Sequence, residues 1–175
     1  MRSVSLMLLL CVIVSACATG NGASETSVEP ETTGGRRMAT YTAIATPVSV
    51  APDSAYQLLI RVYATLQLPM VSVDSKLTVG NDDLRVRRQI AGIPMEKVVE
   101  CGEKLGTPNA ETWDIDMNLL SYVKADPNGG SQVLTRIQAS GNRPEGPRSR
   151  QTACSTTGAL EKKIGDAVAQ LAVSK

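Results

Sequence analysis

A hairpin signal between residues 112 and 139 limits the folds open to this chain more than any other pattern in it. Over residues 112–124 the side chains alternate between apolar and polar. The apolar set is Trp113, Ile115, Met117, Leu119 and Val123. Residues 126–130, Asp-Pro-Asn-Gly-Gly, are typical of a turn, and the alternation resumes after them. Because successive side chains of a strand point to opposite faces, the pattern predicts two antiparallel strands that share one buried face.

Two other stretches have the spacing of amphipathic helices. The first begins with Pro52 and Asp53, both suited to a first helical turn, and Tyr56 and Tyr63 are expected at the edge of the core or at its rim. Its apolar stripe is Ala55, Leu59, Val62 and Leu66. The second helix ends the chain, with an apolar stripe of Leu160, Ile164, Ala167, Val168 and Leu171.

Alternation also predicts strands at 46–50, 71–79 and 84–90, the last two joined by a turn at 80–83. Each helix and each strand has one apolar side, and these sides must be buried against one another. The sequence therefore predicts a single α+β domain over residues 44–175. We expect two layers, an antiparallel sheet with two amphipathic helices packed on one face, in the order β-α-β-β-β-β-α.

The composition argues against several kinds of chemistry. The chain has no histidine and one tryptophan, and aromatic residues make up 3% of it. Without histidine, Ser-His and Cys-His catalysis and most transition-metal sites are removed, so we predict no enzyme activity, no metal and no cofactor. The 18 basic and 17 acidic residues are balanced, which together with the scarcity of aromatic side chains argues against a nucleic-acid partner.

The start of the chain has the pattern of an export signal. A basic residue precedes an apolar run at 4–14, and the run ends in Val14-Ser15-Ala16-Cys17. This run is shorter than the about 20 apolar residues that a membrane-spanning helix needs. We predict a signal peptide over residues 1–16, with cleavage between Ala16 and Cys17. The alternatives are an ordinary secretory peptide, which would leave a free thiol at Cys17, and an uncleaved short anchor.

The segment from Val14 to Cys17 resembles the lipobox of bacterial lipoproteins, in which an aliphatic and two small residues precede the modified cysteine. The resemblance implies acylation of Cys17 and a lipid bilayer as a partner, since two or more acyl chains give stable anchoring. Ala18 follows where an Asp retains Gram-negative lipoproteins at the inner membrane. The resemblance thus implies the periplasmic side of the outer membrane, with the inner membrane or the cell surface as alternatives. Residues 17–43, rich in Gly, Ser, Thr and Glu, are expected to form a flexible tether.

Beyond the signal and Cys17, two cysteines remain, Cys101 and Cys154. In an oxidising periplasm such a pair most often forms a disulfide. Cys154 lies in a Ser/Thr-rich stretch before the last helix, so we expect the bond to join the start of that helix to the loop at Cys101. A redox or nucleophilic cysteine is the alternative, although neither residue belongs to a C-x-x-C motif.

Four arginines are candidate contacts for an anion or a partner. Arg85, Arg87 and Arg88 form a basic strip on a predicted strand, and Arg136 lies on the polar side of the hairpin. Guanidinium groups bind carboxylates and phosphates, so the strip would suit either group or an acidic protein. The alternative is a sheet surface that charge keeps soluble.

Asp114 and Asp116 form a second polar candidate, because residues two apart on a strand share a face. Such a carboxylate pair would suit acid-base chemistry or calcium binding. We instead expect the pair to face solvent, with Arg136 on the neighbouring strand pairing with one of the two.

The element order over residues 45–173 is similar to that of small α+β envelope lipoproteins with a BamC-like helix-grip fold. Cys101-Gly102 and the segment C-S-T-T-G-A-L-E at 154–161 also look like bacterial lipoproteins of poorly known function. These resemblances imply a fold and a location. They lead us to expect a non-enzymatic interaction or assembly module that contacts an envelope protein through its outer sheet face or an edge strand. The alternative is a carrier of a small apolar or lipid ligand between sheet and helix.

Overall fold

The structure is a computed structural model of the 175-residue chain. It describes residues 26–27, 42–71, 76–144 and 151–174. The predicted signal peptide, the cleavage site at Ala16 and the acylated Cys17 lie outside the described residues, as does most of the predicted tether.

The described chain contains eleven strands, three α-helices and one turn of 3-10 helix. The helices are α1 (Pro52–Thr65), α2 (Asn109–Thr112) and α3 (Ala159–Val173), and the 3-10 turn is Met95–Lys97. The first six strands are β1 (Thr26–Ser27), β2 (Thr42–Val48), β3 (Thr78–Val86), β4 (Gln89–Ile90), β5 (Ile93–Pro94) and β6 (Val99–Glu100). The other five are β7 (Glu103–Lys104), β8 (Thr107–Pro108), β9 (Asp114–Ala125), β10 (Ser131–Asn142) and β11 (Thr152–Thr156).

The predicted hairpin is confirmed and forms the centre of the sheet. Strands β9 and β10 each have 12 residues and pair along their whole length, from Ala125↔Ser131 to Asp114↔Asn142. Their alternation is also confirmed, because the predicted apolar set is buried, whereas Asp114, Asp116 and Asn118 are half-buried. In the turn, the Asp126 carboxylate accepts a hydrogen bond from the backbone N–H of Asn128 at 2.8 Å.

The other strands join this pair in antiparallel register. Strand β3 pairs with the free side of β9. On the far side of β10, β2 covers residues 131–135 and β11 covers residues 139–141. Strand β6 then pairs with β11, and β1, within the predicted tether, pairs with the start of β2.

Both long helices pack on one face of this sheet, so the predicted two-layer α+β fold is confirmed. The helices and the sheet together form one hydrophobic core. Members of this core that are wholly buried include Leu59, Ile115, Leu119, Leu160 and Ile164. Helix α3 lies very close to β2, because a Cβ atom on Gly165 would lie 2.0 Å from the Thr46 hydroxyl oxygen. A glycine at this position lets the helix reach the sheet.

Tyr63 lies inside the core, with 0% of its surface exposed, and the expectation that it lies at the core edge or rim is wrong. Its hydroxyl group forms a 2.8 Å hydrogen bond with Ser121 on β9. Ser121 in turn forms a 2.8 Å hydrogen bond with Thr135 on β10. The chain of three hydroxyl groups satisfies polar atoms that burial would otherwise leave without partners, which is why a tyrosine is tolerated here.

Residues 78–86 form a single strand, β3, so the turn predicted at 80–83 is wrong. Of the strand predicted at 71–79, residues 72–75 lie outside the described residues, and Val71 forms an isolated bridge with Gly80. The register of β3 shifts at a bulge between Asn81 and Leu84. Gly80 serves strand packing instead, because a Cβ atom there would lie 2.1 Å from the carbonyl oxygen of Leu119. Gly80 therefore permits the backbone of β3 to lie close to β9, and it does not form a turn.

The Ser/Thr-rich stretch at 152–156 is strand β11, where we had expected only the approach to a helix. Thr residues are common in strands, and here they extend the sheet beyond the hairpin. Helix α3 begins after Gly158, and its buried side differs from the predicted stripe at one end. Leu171 is 38% exposed, whereas Ala172 is 9% exposed.

Cys101 and Cys154 lie directly opposite each other on neighbouring chain segments, next to the paired residues Glu100 and Ser155. Their Cα atoms are 4.4 Å apart. This separation lies at the lower end of the usual range for disulfides, about 4.4–6.8 Å, so the structure is compatible with the predicted bond. The bond would join β11 to the segment after β6, and the expectation that it meets the start of the last helix is wrong.

Replacing both cysteines with alanine should lower the free energy of unfolding by about 4 kcal/mol, because the bond closes a loop with a sequence separation of 53. Guanidinium titration of the oxidised protein, the reduced protein and the double variant would measure this. The reduced protein should match the variant. An unfolding midpoint that reduction leaves unchanged would contradict a disulfide.

Ionisation of Tyr63 should destabilise the protein between pH 10 and pH 12. Burial raises the pKa of Tyr63 to about 12, more than its hydrogen bond to Ser121 lowers it. The unfolded chain therefore loses this proton first as the pH rises, and a difference of about two pKa units corresponds to about 3 kcal/mol. The loss should begin near pH 10 and be complete above pH 12. Denaturant titrations at several pH values give the free energy of unfolding of the native protein and of Tyr63→Phe. Between pH 10 and pH 12 this free energy should fall more steeply for the native protein, and an equal fall in both would contradict the assignment.

Candidate functional site

The four candidate arginines lie in different surroundings. Arg85 on β3 and Arg136 on β10 both lie on the outer face of the sheet, away from the helices. Arg85 is opposite Asp116, whereas Arg136 is opposite Leu120 in the central strand pair. Arg88 has a left-handed backbone with a φ of 69° and lies beyond the end of β3.

Asp116 is fully engaged in a polar network at one end of the outer face. Its Oδ1 atom accepts a hydrogen bond from Arg85 Nε at 2.8 Å, and its Oδ2 atom accepts one from Asn142 Nδ2 at 2.6 Å. Gln151 donates a further bond to Oδ2 at 3.3 Å. The contact with Asp116 raises the pKa of Arg85 above its ordinary value. Both carboxylate oxygens thus hold the strands together.

Asp114 pairs with Arg87 at 3.8 Å, so the expected pairing of Arg136 with Asp114 or Asp116 is wrong. The reason is the register. Strand β3 places Arg85 opposite Asp116, and Arg87 follows the end of β3 near Asp114, whereas Arg136 is opposite Leu120, four positions along β9 from Asp116. Arg85 and Arg87 therefore pair with the two carboxylates, and Arg136 is separate from them.

Arg136 and Asn118 each have a polar atom without a hydrogen-bond partner in the described ranges. The Nε atom of Arg136 and the Oδ1 atom of Asn118 are buried and unpaired there, although both side chains are partly exposed. The two residues occupy diagonal positions on adjacent strands, since Asn118 is opposite Gln138. An unpaired buried polar atom costs about 1–3 kcal/mol, so a ligand that satisfied these atoms would recover part of that cost.

An apolar patch adjoins this polar pair on the outer face. Leu134 is 9% exposed and lies opposite Tyr122, which is half-buried. Leu120 is also half-buried, opposite Arg136. The ammonium group of Lys124 lies 5.2 Å from the centre of the Tyr122 ring. We call Asn118, Leu120, Tyr122, Leu134 and Arg136 the outer-face patch.

A basic cleft with a volume of about 640 Å³ lies where the ends of β3, β9 and β10 meet the β7–β8 hairpin. Residues that line it include Arg87, Lys104, Thr107, Asn109, Trp113 and Arg143. The Arg143 guanidinium lies 5.4 Å from the centre of the Trp113 ring, a cation–π distance. Asn109 is held in place because its side-chain amide donates to the carbonyl oxygen of Cys101 at 3.1 Å.

Lys104 and Arg143 were not among the candidates from the sequence, because both lie in segments that the pattern described only as loops. The predicted disulfide was the signal that could have found them. Cys101 lies three residues before Lys104, and Cys154 is opposite Ala139, near the end of the strand that precedes Arg143. A bond between the cysteines therefore implies that cations from the two loops approach each other.

Two further clefts lie near the end of α1. One, of about 430 Å³, lies between that end and the β4–β5 hairpin. The other, of about 560 Å³, lies beside α3 and includes Lys162 and Lys163 in its lining.

The layer between helices and sheet, by contrast, contains wholly buried side chains such as Leu59, Tyr63 and Ile164. The alternative expectation, a carried apolar ligand in this layer, stays a prediction.

Glu161 is a buried carboxylate that the sequence pattern did not reveal. It is 1% exposed, and its Oε1 atom accepts a hydrogen bond from the Thr156 hydroxyl at 2.5 Å. Its Oε2 atom has no partner among the described residues. Burial raises the pKa of Glu161, outweighing the effect of the Thr156 hydrogen bond. The group lies in the first turn of α3, where the helix dipole favours a negative charge.

Within residues 26–27, 42–71, 76–144 and 151–174, no group of three or more His, Cys, Asp or Glu side chains could hold a metal ion. In the same part of the chain, no helix combines the length and the apolar character needed to cross a membrane. Comparison with protein-family models, curated proteins and solved structures finds no match for this chain.

Proposed function

We propose that the protein is an extracytoplasmic lipoprotein, held on the periplasmic side of the outer membrane by acylated Cys17, that binds another envelope protein. The lipobox pattern at Val14 to Cys17 supports the anchor. The facing positions of Cys101 and Cys154 suit a compartment in which disulfides persist.

The outer-face patch is the proposed binding surface. The observation that carries this choice is that two partly exposed diagonal neighbours, Arg136 and Asn118, have an Nε and an Oδ1 atom without hydrogen-bond partners in the described structure. A protein backbone or an acidic side chain would supply the acceptor that Arg136 lacks, and a backbone N–H would supply the donor that Asn118 lacks. The half-buried Leu120 and Tyr122 offer apolar contact area around these polar groups.

The charge of the surface favours an acidic partner segment. Asp114 and Asp116 are matched by Arg87 and Arg85, so within the described face these four charges largely cancel. Arg136 and Lys124 then remain as positive charges next to the apolar side chains. A partner segment that combines a carboxylate with an apolar or aromatic residue would match both features.

Binding is favoured over catalysis because Asp114 and Asp116 are already used in ion pairs and hydrogen bonds. The chain also lacks histidine, the commonest general base. The role proposed for Arg136 is accordingly to contact a partner.

Arg136→Ala should release the partner while leaving the fold intact, because the Nε atom of Arg136 makes no hydrogen bond in the described structure. We expect at least a tenfold loss of affinity, the order expected when a charge-assisted hydrogen bond and its apolar contacts are removed. The measurement is quantitative co-purification of the full-length protein from detergent-solubilised membranes, followed by titration of the purified complex.

Arg61→Ala is the matched control, because Arg61 is an exposed arginine on α1, in the other layer of the fold. It removes the same charge and should leave partner capture unchanged. Thermal unfolding of both variants checks that they remain folded. Equal capture by Arg136→Ala and the native protein, or equal loss in both variants, would contradict the proposed surface.

A further inference from the structure

The basic cleft is separate from the outer-face patch and has its own chemistry. Three cationic side chains, Arg87, Lys104 and Arg143, line it. Arg87 has Asp114 at 3.8 Å, but in the described parts of the chain neither Lys104 nor Arg143 forms an ion pair. Cations brought together without matching carboxylates create a positive potential that attracts an anion.

The other lining groups suit an anion with several oxygens. Arg143 is stacked against the Trp113 ring, so its guanidinium is oriented by the wall of the cleft. The Thr107 hydroxyl adds a neutral donor near Lys104, since the two residues are paired across the β7–β8 hairpin. Arginine, lysine and hydroxyl donors together are typical partners of phosphate oxygens. The volume of about 640 Å³ exceeds what a bare phosphate fills and fits a phosphate attached to a larger group.

Leu105, at the tip of the same hairpin, indicates what the larger group is. It is 96% exposed and has a φ of 52°, a left-handed conformation that is costly for leucine. Gly106, the second residue of the turn, also has a positive φ. An asparagine or glycine would suit the Leu105 position better, and an exposed leucine is unfavourable in water. An apolar tip next to a cationic cleft matches an amphiphile, in which a phosphate adjoins hydrocarbon.

We infer that the cleft binds the phosphate of an anionic lipid headgroup, with Leu105 inserted among the acyl chains. Lys104 and Arg143 contact the phosphate oxygens, and Thr107 donates a hydrogen bond to them. The choice of a lipid over a soluble phosphate ester draws support from the proposed membrane anchor, whereas phosphate binding rests on the cleft alone.

Trp113 makes the test direct, because it is the single tryptophan of the chain and lies in the cleft. The full-length protein in a neutral detergent is titrated with glycerol phosphate and with a short-chain phosphatidic acid, while tryptophan fluorescence is recorded. Both probes should give saturable changes, with tighter binding of the lipid. Short-chain phosphatidylcholine should bind more weakly, because its headgroup has no net charge. Added salt should weaken the binding of the anionic probes.

Lys104→Ala should lower the affinity for both anionic probes by on the order of tenfold, since it removes one charged contact. Lys97→Ala is the matched control, because Lys97 is also exposed but lies on the 3-10 turn and does not line the cleft. It should leave both titrations unchanged. Absence of any saturable change, or an equal effect of the two substitutions, would overturn the cleft as an anion site.

Leu105→Asn should reduce lipid binding to the level of glycerol phosphate without affecting glycerol phosphate itself, because it removes the apolar tip and suits the left-handed backbone. Equal affinity of the native protein for both probes would overturn the lipid assignment and identify the ligand as a soluble phosphate ester. These titrations need neither the acyl anchor nor the protein partner. Failure here would therefore be distinct from failure of the proposed function.

Discussion

The pairing of β9 with β10 is the constraint on which the remaining structure depends. Each strand has 12 residues, and they pair without interruption. Their period of two sends one set of side chains into the helix layer and the other to the outer face. Strands β3, β2 and β11 extend this pair on both sides, so the register of one hairpin fixes which residues form the core and which form the outer-face patch.

The sequence predicted this hairpin, α1 and the two-layer class because those features depend on local periodicity and turn residues. It could not predict features that depend on close contact between distant segments. Gly80 has the composition of a turn but permits β3 to approach Leu119. The threonines of β11 resemble the approach to a helix, yet β10 offers them a strand edge. Among strands of five or more residues and the two long helices of the described chain, the order is β-α-β-β-β-β-α as predicted. This agreement holds only because a turn was placed inside β3 and β11 was missed.

In the candidate site, too, local pattern predicts some features and contacts between distant segments determine the others. The exposure of Arg136 on the polar side of the hairpin follows from alternation, whereas the pairing of Arg85 and Arg87 with aspartates depends on the register of β3, which no local pattern encodes. The basic cleft joins side chains from β7, β8, α2 and the segments that follow β3 and β10, so only the assembled fold brings Lys104 and Arg143 together. The two proposed surfaces have complementary roles, one for an acidic protein segment and the other for a membrane phosphate.

Both roles require that the domain be exported and remain beside a bilayer, and this placement is the central claim. Metabolic labelling with a fatty-acid probe, followed by mass analysis of the mature protein, tests it most directly when native protein is compared with Cys17→Ala. The native protein should begin at Cys17, carry acyl chains and incorporate the probe, while Cys17→Ala should incorporate none. A native protein that retains Met1, or that begins at Cys17 with an unmodified thiol, would contradict the claim.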